Sequence, residues 1–140
     1  MTFRAAVIGC GRIGSTIDDE QVNRPQFRYP WAHAPAVIEA QGIELIAGSD
    51  VHPEQLDDFR SRWGISALYT DYLEMIKQEQ PDLVCVTTKT VERSEVVIKS
   101  AEAGVKAIYA TKPMCRSLAE ADEMIEACQK NNTILAIACH

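Results

Sequence analysis

Short apolar runs that alternate with segments of helical period constrain this chain more than any other feature. The runs cover residues 3–8, 43–47, 67–69, 83–87, 105–110 and 133–138. The run at 83–87 is apolar almost throughout, as a strand covered on both faces must be. The segments between them carry helix punctuation. His52-Pro53 puts a proline where a first helical turn tolerates it, and Gly64 stands past the end. Asp71 reads as an N-cap with Glu74 three residues on, and Ser117-Leu118-Ala119-Glu120 as a capping box. Leu118, Ala121, Met124, Ile125 and Cys128 recur on one helical face, and Gly104 follows the helix that holds Val96, Val97 and Ala101. Strand, helix and strand repeated in this way force parallel pairing through right-handed crossovers. The expected fold is α/β: a doubly wound parallel sheet of about six strands, helices on both faces, ligand at the carboxyl ends of the strands.

One segment breaks the rhythm. Pro25 and Pro30 cannot lie inside a helix without damage, and a helical pattern resumes only at 31–40, stopping at Gly42. Residues 15–30 therefore read as an insertion within the first crossover helix.

The chemistry is concentrated where the first run ends. Gly9-Cys10-Gly11-Arg12-Ile13-Gly14 fits G-x-G-x-x-G, follows a strand and opens a helix, which is the context that gives this weak pattern meaning. Gly9 permits a tight turn, Gly11 lets backbone approach a pyrophosphate, and Gly14 lets the helix pack on the strand. The helix N-terminus then offers free N–H groups and partial positive charge to phosphates. Without a ligand, the same residues are an ordinary glycine-rich turn. A dinucleotide site also calls for an acid at the end of the second strand, about 20 residues on. Asp50 ends that strand but lies 36 residues past Gly14; taking out the 16 residues of the insertion leaves 20. Asp50 is thus the expected acceptor for the adenosine ribose hydroxyls, with a helix N-cap as its plainer role. A carboxylate there repels a 2′-phosphate and favours NAD, while the Arg12 guanidinium keeps NADP open. Ala110-Thr111-Lys112-Pro113 follows the fifth run and puts Lys112 at a strand end facing the cleft, or leaves it a surface lysine; Pro113 can support a cis bond.

Composition removes several classes. The 140 residues make one domain, 46% hydrophobic. A net charge of −6 with no basic run argues against a nucleic-acid partner, and 6% aromatic residues against a stacking platform. No apolar stretch reaches membrane-spanning length, and the start is too short for a signal peptide. Cys10, Cys85, Cys115, Cys128 and Cys139 show no Cys-x-x-Cys spacing, so they read as reduced, mostly buried thiols of a cytoplasmic protein. No histidine stands at ligand spacing, so no metal site is expected. Cys10 and His33 read as packing residues. Tyr29 and Trp31, with Arg24 and Arg28, read as solvated loop rather than as a lip over the site.

Taken together, Gly9-Cys10-Gly11-Arg12-Ile13-Gly14, Trp31-Ala32-His33-Ala34-Pro35-Ala36, Asp50, Tyr69-Thr70-Asp71-Tyr72, Pro81-Asp82-Leu83-Val84-Cys85-Val86, Ala103-Gly104-Val105-Lys106 and Lys112-Pro113 span nearly the whole chain. In this pattern the chain resembles the N-terminal NAD(P)-binding Rossmann domain of the glucose–fructose oxidoreductase/inositol dehydrogenase (Gfo/Idh/MocA) family. The resemblance implies hydride transfer between a nicotinamide cofactor and a hydroxyl of a sugar, cyclitol or related polyol. It makes Lys112 the catalytic lysine, with Thr87 and Thr88 bordering the nicotinamide. It also implies a separate substrate domain beyond His140, without which turnover is not expected, and homo-oligomers. The chain departs from the family pattern at the nicotinamide end. Thr111 replaces a usual glutamate, Thr87-Thr88-Lys89-Thr90 a usual Ala-Thr-Pro-Asn, and Arg93 a frequent histidine. Three readings follow: an enzyme module, a dinucleotide-binding sensor, or an assembly domain that has lost its ligand.

Overall fold

A computed structural model describes residues 2–21 and 30–139; Arg24, Pro25, Arg28, Tyr29 and His140 lie outside them. Six strands, β1 (Phe3–Ile8), β2 (Ile43–Ser49), β3 (Ala67–Tyr69), β4 (Leu83–Val86), β5 (Ala107–Thr111) and β6 (Ile134–Ala138), form one sheet. Their order is β3-β2-β1-β4-β5-β6 and every pairing is parallel. The chain goes out from β1 to one edge, then returns past β1 to build the other half, so the order reverses between β1 and β4. That reversal opens the crevice that ligands use in doubly wound sheets.

Among the described residues five α-helices cross between strands: α1 (His33–Glu39), α2 (Pro53–Trp63), α3 (Tyr72–Glu79), α4 (Thr90–Glu102) and α5 (Leu118–Lys130). Helices α3, α4 and α5 cover one face, packing Met75, Ile76, Val96, Val97, Met124 and Cys128 on Ala6, Ile8, Val84, Val86, Ile108 and Ala110. On the other face, α1 and α2 pack Ala34, Val37, Leu56 and Phe59 on Ala5, Val7, Leu45 and Cys85. Alternate strand residues thus supply the two cores, and removing the fully buried Phe59 ring from water stabilises the fold by about 2–3 kcal/mol. The register slips between Ala5 and Ala6, opposite Ile46, so Leu45 and Ala47 serve opposite faces.

The helix ends follow the sequence closely. The Asp71 carboxylate accepts the N–H groups of Leu73 at 2.8 Å and Glu74 at 3.4 Å. Ser117 Oγ accepts Glu120 N–H at 3.2 Å. The reciprocal half of that box lands one residue early, because Glu120 accepts Arg116 N–H at 2.9 Å and also receives the Arg116 guanidinium. The α5 stripe is narrower than its spacing suggests: Met124 and Cys128 are buried, but Leu118, at the first turn, stays 85% exposed. The fifth strand starts at Ala107, not Val105, because Val105 folds back on α4 and donates its N–H to Ser100.

The first crossover is not one helix. A π-type turn over Arg12–Thr16 runs into 3-10 turns over Ile17–Gln21, and α1 begins at His33. Three consecutive acids in those turns have three different partners. Asp18 accepts the N–H groups of Trp31 at 2.7 Å and Ala32 at 3.0 Å, Asp19 pairs with Arg62 of α2 at 2.7 Å, and Glu20 pairs with Arg12 at 2.6 Å. Asp18 thereby anchors the two residues that lead into α1, whose N-cap, Ala32, makes no side-chain cap bond. His33 is buried, its ring centroid 5.2 Å from that of Tyr109. No helix of the described residues is long and apolar enough to cross a membrane.

Candidate functional site

The site grows from the loop after β1. Gly9 N–H donates to Ser49 O at 2.8 Å and Thr87 N–H to Ile8 O at 2.9 Å, so the loop leaves the sheet between the ends of β2 and β4. Gly9 has φ +97°, a region that disfavours any side chain. At Gly14 a Cβ would stand 2.0 Å from Gly9 O, so the helical turn rests directly on the loop. Gly11 differs. A Cβ there would meet nothing closer than the Gln55 amide at 3.6 Å, an ordinary contact. Among the described residues no neighbour obstructs a side chain at that position, yet it lines the cleft, so the absent Cβ leaves bare main chain open to a ligand. The turn that follows begins with Ser15 N–H bonding Gly11 O at 2.8 Å.

Above the loop lies a cleft of about 520 Å³ at the carboxyl ends of β1 to β4. Gly9, Gly11, Arg12, Ile13, Asp50, Thr87 and Thr88 all line it. The Asp50 carboxylate is fixed within it: one oxygen accepts Cys10 N–H at 2.8 Å and the other His52 N–H at 3.0 Å. Among the described residues these two bonds occupy two of its roughly four acceptor positions. Asp50 is not the N-cap of α2: that position is His52, and the Asp50–His52 bond closes a local turn two residues long, just ahead of the helix. Arg12 is bound through Nε and Nη2 to Glu20 at 2.6 and 2.8 Å, which lowers the Glu20 pKa.

Two residues of the glycine motif face away from the cleft. Gly14 packs under the loop, and Cys10 is fully buried, its thiol 3.5 Å from Ser49 O. Burial, and then the Asp50 charge, push that thiol upward, so it is a packing group whose contribution to the site is its N–H.

The nicotinamide end departs further from expectation. Thr87 Oγ1 bonds the Gly9 carbonyl and props the glycine loop from beneath. Thr88 Oγ1 is buried without a partner among the described residues, an orphan hydroxyl on the cleft wall. Thr111 does not line the cleft. It is 8% exposed and turns its hydroxyl toward Val86 O at 3.4 Å, across to the neighbouring strand. Lys112 follows β5, is exposed and stands outside the cleft lining, one strand beyond its last element; the Lys112-Pro113 bond is cis. Arg93 is buried and bonds Thr88 O and Pro113 O.

Sequence reasoning did not single out Val51, His52, Thr70, Tyr72, Glu92 and Glu95 as cleft residues. A usable signal existed for some of them. Val51, His52 and Thr70 directly follow strand ends, where doubly wound sheets bind ligands. Glu92 and Glu95 depend on the tilt of α4, which no local pattern encodes. Among the described residues no group of three or more metal-binding side chains occurs.

The residues fit an NAD-type group: a bare loop at Gly11, a held carboxylate at Asp50 and an unsatisfied hydroxyl at Thr88 line one cleft. Comparisons agree. The model of the oxidoreductase family with an NAD-binding Rossmann fold (GFO_IDH_MocA) matches residues 3–139. The chain is 33% identical over 133 residues to myo-inositol 2-dehydrogenase of Thermotoga maritima, covering 95% of this chain and 35% of that protein. It is 30% identical over 135 residues to D-apiose dehydrogenase of Paraburkholderia graminis, covering 96% and 32%. The crystal structure of myo-inositol 2-dehydrogenase from Lactobacillus plantarum superposes with a TM-score of 0.76 at 27% identity, covering 99% of this chain and 36% of that one. The chain thus spans about a third of the length of these relatives. Sheet order, loop geometry and sequence agree that the chain belongs to the Gfo/Idh/MocA oxidoreductase family and is an NAD-binding Rossmann domain of that family.

Proposed function

We propose that this domain holds NAD for a dehydrogenase that moves hydride between the cofactor and a hydroxyl of a sugar, cyclitol or related polyol. The observation that carries the reading is the pairing of an unobstructed Gly11 with an Asp50 carboxylate pinned at the adjacent strand end. Gly9, Gly11, Arg12, Ile13 and Gly14 form the phosphate loop, Cys10 contributes main chain, and Asp50 takes the ribose hydroxyls. Thr87 and Thr88 border the nicotinamide, and Lys112 is the catalytic lysine. NAD supplies the hydride acceptor; the chain's own work is to orient it and keep one face dry. NAD is favoured over NADP because Glu20 already neutralises Arg12. The polyol class rests on the relatives, whose names specify myo-inositol and D-apiose. The substrate pocket belongs to a further domain of the kind expected beyond residue 140, residues 15–30 are an insertion in the first crossover, and the full protein is a cytoplasmic homo-oligomer.

The test is fluorescence and calorimetric titration with NADH and NADPH. Saturable NADH binding with weaker NADPH binding is expected. A folded sample with no saturation at millimolar NADH removes the proposal. A second reading, a dinucleotide-binding sensor, draws on Thr111, whose neutral side chain is bonded inward and offers no charge beside Lys112. Tight NAD binding together with a full-length protein inactive on a polyol panel would favour it.

A further inference from the structure

Arg93 sits in the first turns of α4, is 4% exposed, and makes no ion pair with any carboxylate among the described residues. Its two terminal nitrogens reach two main-chain carbonyls from separate segments. Nη2 bonds Thr88 O, on the loop after β4 that walls the cleft, and Nη1 bonds Pro113 O, on the turn after β5 that carries Lys112. Nε is buried and unpartnered, and burial lowers the guanidinium pKa. A buried cation without a counter-charge is costly, and packing alone would be better served by an apolar side chain of like volume. What only a guanidinium supplies is a rigid fork with donors to two acceptors at once. Among the described residues no other side-chain hydrogen bond joins the two segments. Thr111, the last residue of β5, bonds back to Val86 within the sheet rather than to the loop.

We propose that Arg93 is a positioning residue that ties the Lys112–Pro113 turn to the Thr88 loop, so that the lysine is held in register with the cofactor cleft. The inference rests on the cofactor reading for the meaning of that cleft. Arg93 touches neither cofactor nor substrate. It sets the distance between one element that borders the cleft and the neighbouring element that bears the lysine.

The test uses the 140-residue chain with its lysines reductively ¹³C-dimethylated, the Lys112 signal being assigned by its loss in Lys112→Arg. In the unaltered chain, saturating NADH shifts the Lys112 resonance. In Arg93→Gln that shift falls by about fivefold or more while the NADH dissociation constant changes by less than about threefold, since the lysine loses its register and the phosphate loop does not. Arg93→Lys keeps the charge but not the fork, and gives an intermediate shift. A Lys112 shift equal to that of the unaltered chain in folded Arg93→Gln overturns the proposal. If that variant does not fold, a full shift in Arg93→Lys overturns it equally. NADH that fails to saturate the unaltered chain sinks the cofactor reading and this inference with it. NADH that binds without any Arg93 dependence at Lys112 sinks the inference alone.

Discussion

The Cys10 amide donates to the Asp50 carboxylate across 2.8 Å, joining the phosphate loop after β1 to the end of β2, 40 residues later in the chain. One carboxylate therefore holds the loop in shape while presenting its remaining lone pairs to the cleft. Asp50→Ala is expected to weaken NADH binding by about tenfold or more, roughly 1.4 kcal/mol, and to narrow the gap between NADH and NADPH. Calorimetric titration checks this, and unchanged NADH affinity would contradict the ribose role.

Arg12 is held by Glu20 rather than free at the cleft mouth. Releasing it with Glu20→Gln should raise NADPH affinity by about fivefold and leave NADH nearly unchanged, because only the former carries an extra phosphate to meet the guanidinium. Parallel fluorescence titrations read the ratio. An unchanged ratio would place Arg12 out of reach of that phosphate.

Gly14 and Gly11 should separate fold from function. Gly14→Ala drives a Cβ to 2.0 Å from Gly9 O and is expected to cost about 3 kcal/mol or more, seen as a lowered Tm. Gly11→Ala meets only ordinary contacts, so its Tm should stay close to that of the unaltered chain while NADH binding is lost. Equal loss of Tm in both variants would mean the loop was misread.

Asp18 anchors the lead-in to α1 across the unusual first crossover. Asp18→Ala should destabilise the domain by about 1–2 kcal/mol, the value of a charged acceptor on two main-chain N–H groups. Urea unfolding would show a lower midpoint at unchanged slope. Because Asp18 lies outside the cleft lining, NADH affinity in the folded variant should hold.

Alkali should expose the buried thiols. Burial pushes Cys85 from 9.0 up to about 12, and Cys10 moves in the same direction. A group whose pKa is higher in the folded than in the unfolded chain supports folding fully below its unfolded pKa and loses that support as pH rises toward its folded value. Stability should therefore decline between pH about 9 and 12, by up to about 1.4 kcal/mol per pH unit for Cys85. Cys85→Ala should flatten that slope in pH-dependent urea unfolding. An unaltered slope would assign the decline to other groups.

Much of the molecule was legible before any coordinates. The strand ends at Phe3, Ile8, Ala67, Tyr69 and Ala138 fall where the apolar runs do, because period-two and continuous apolar patterns are local. Asp71 and Ser117 cap as read, since a cap needs only residues within three positions. The Gly9–Gly14 loop and Asp50 came from spacing, and Pro25 and Pro30 marked the interrupted crossover that this spacing then agreed with.

Lys112 was placed by its strand end, but nothing local could show that Arg93 bridges two loops 25 residues apart, that Thr111 bonds inward, or that Leu118 stays in water. Local pattern by itself determined which residues form strands, which cap helices and where the glycine-rich turn falls, because backbone sterics and short-range hydrogen bonds act within a few residues. Tertiary structure alone decided which side chains share the cleft, which cation remains buried without a counter-charge and which acid quiets Arg12. Those outcomes depend on how distant elements tilt and stack, and no single segment carries that information.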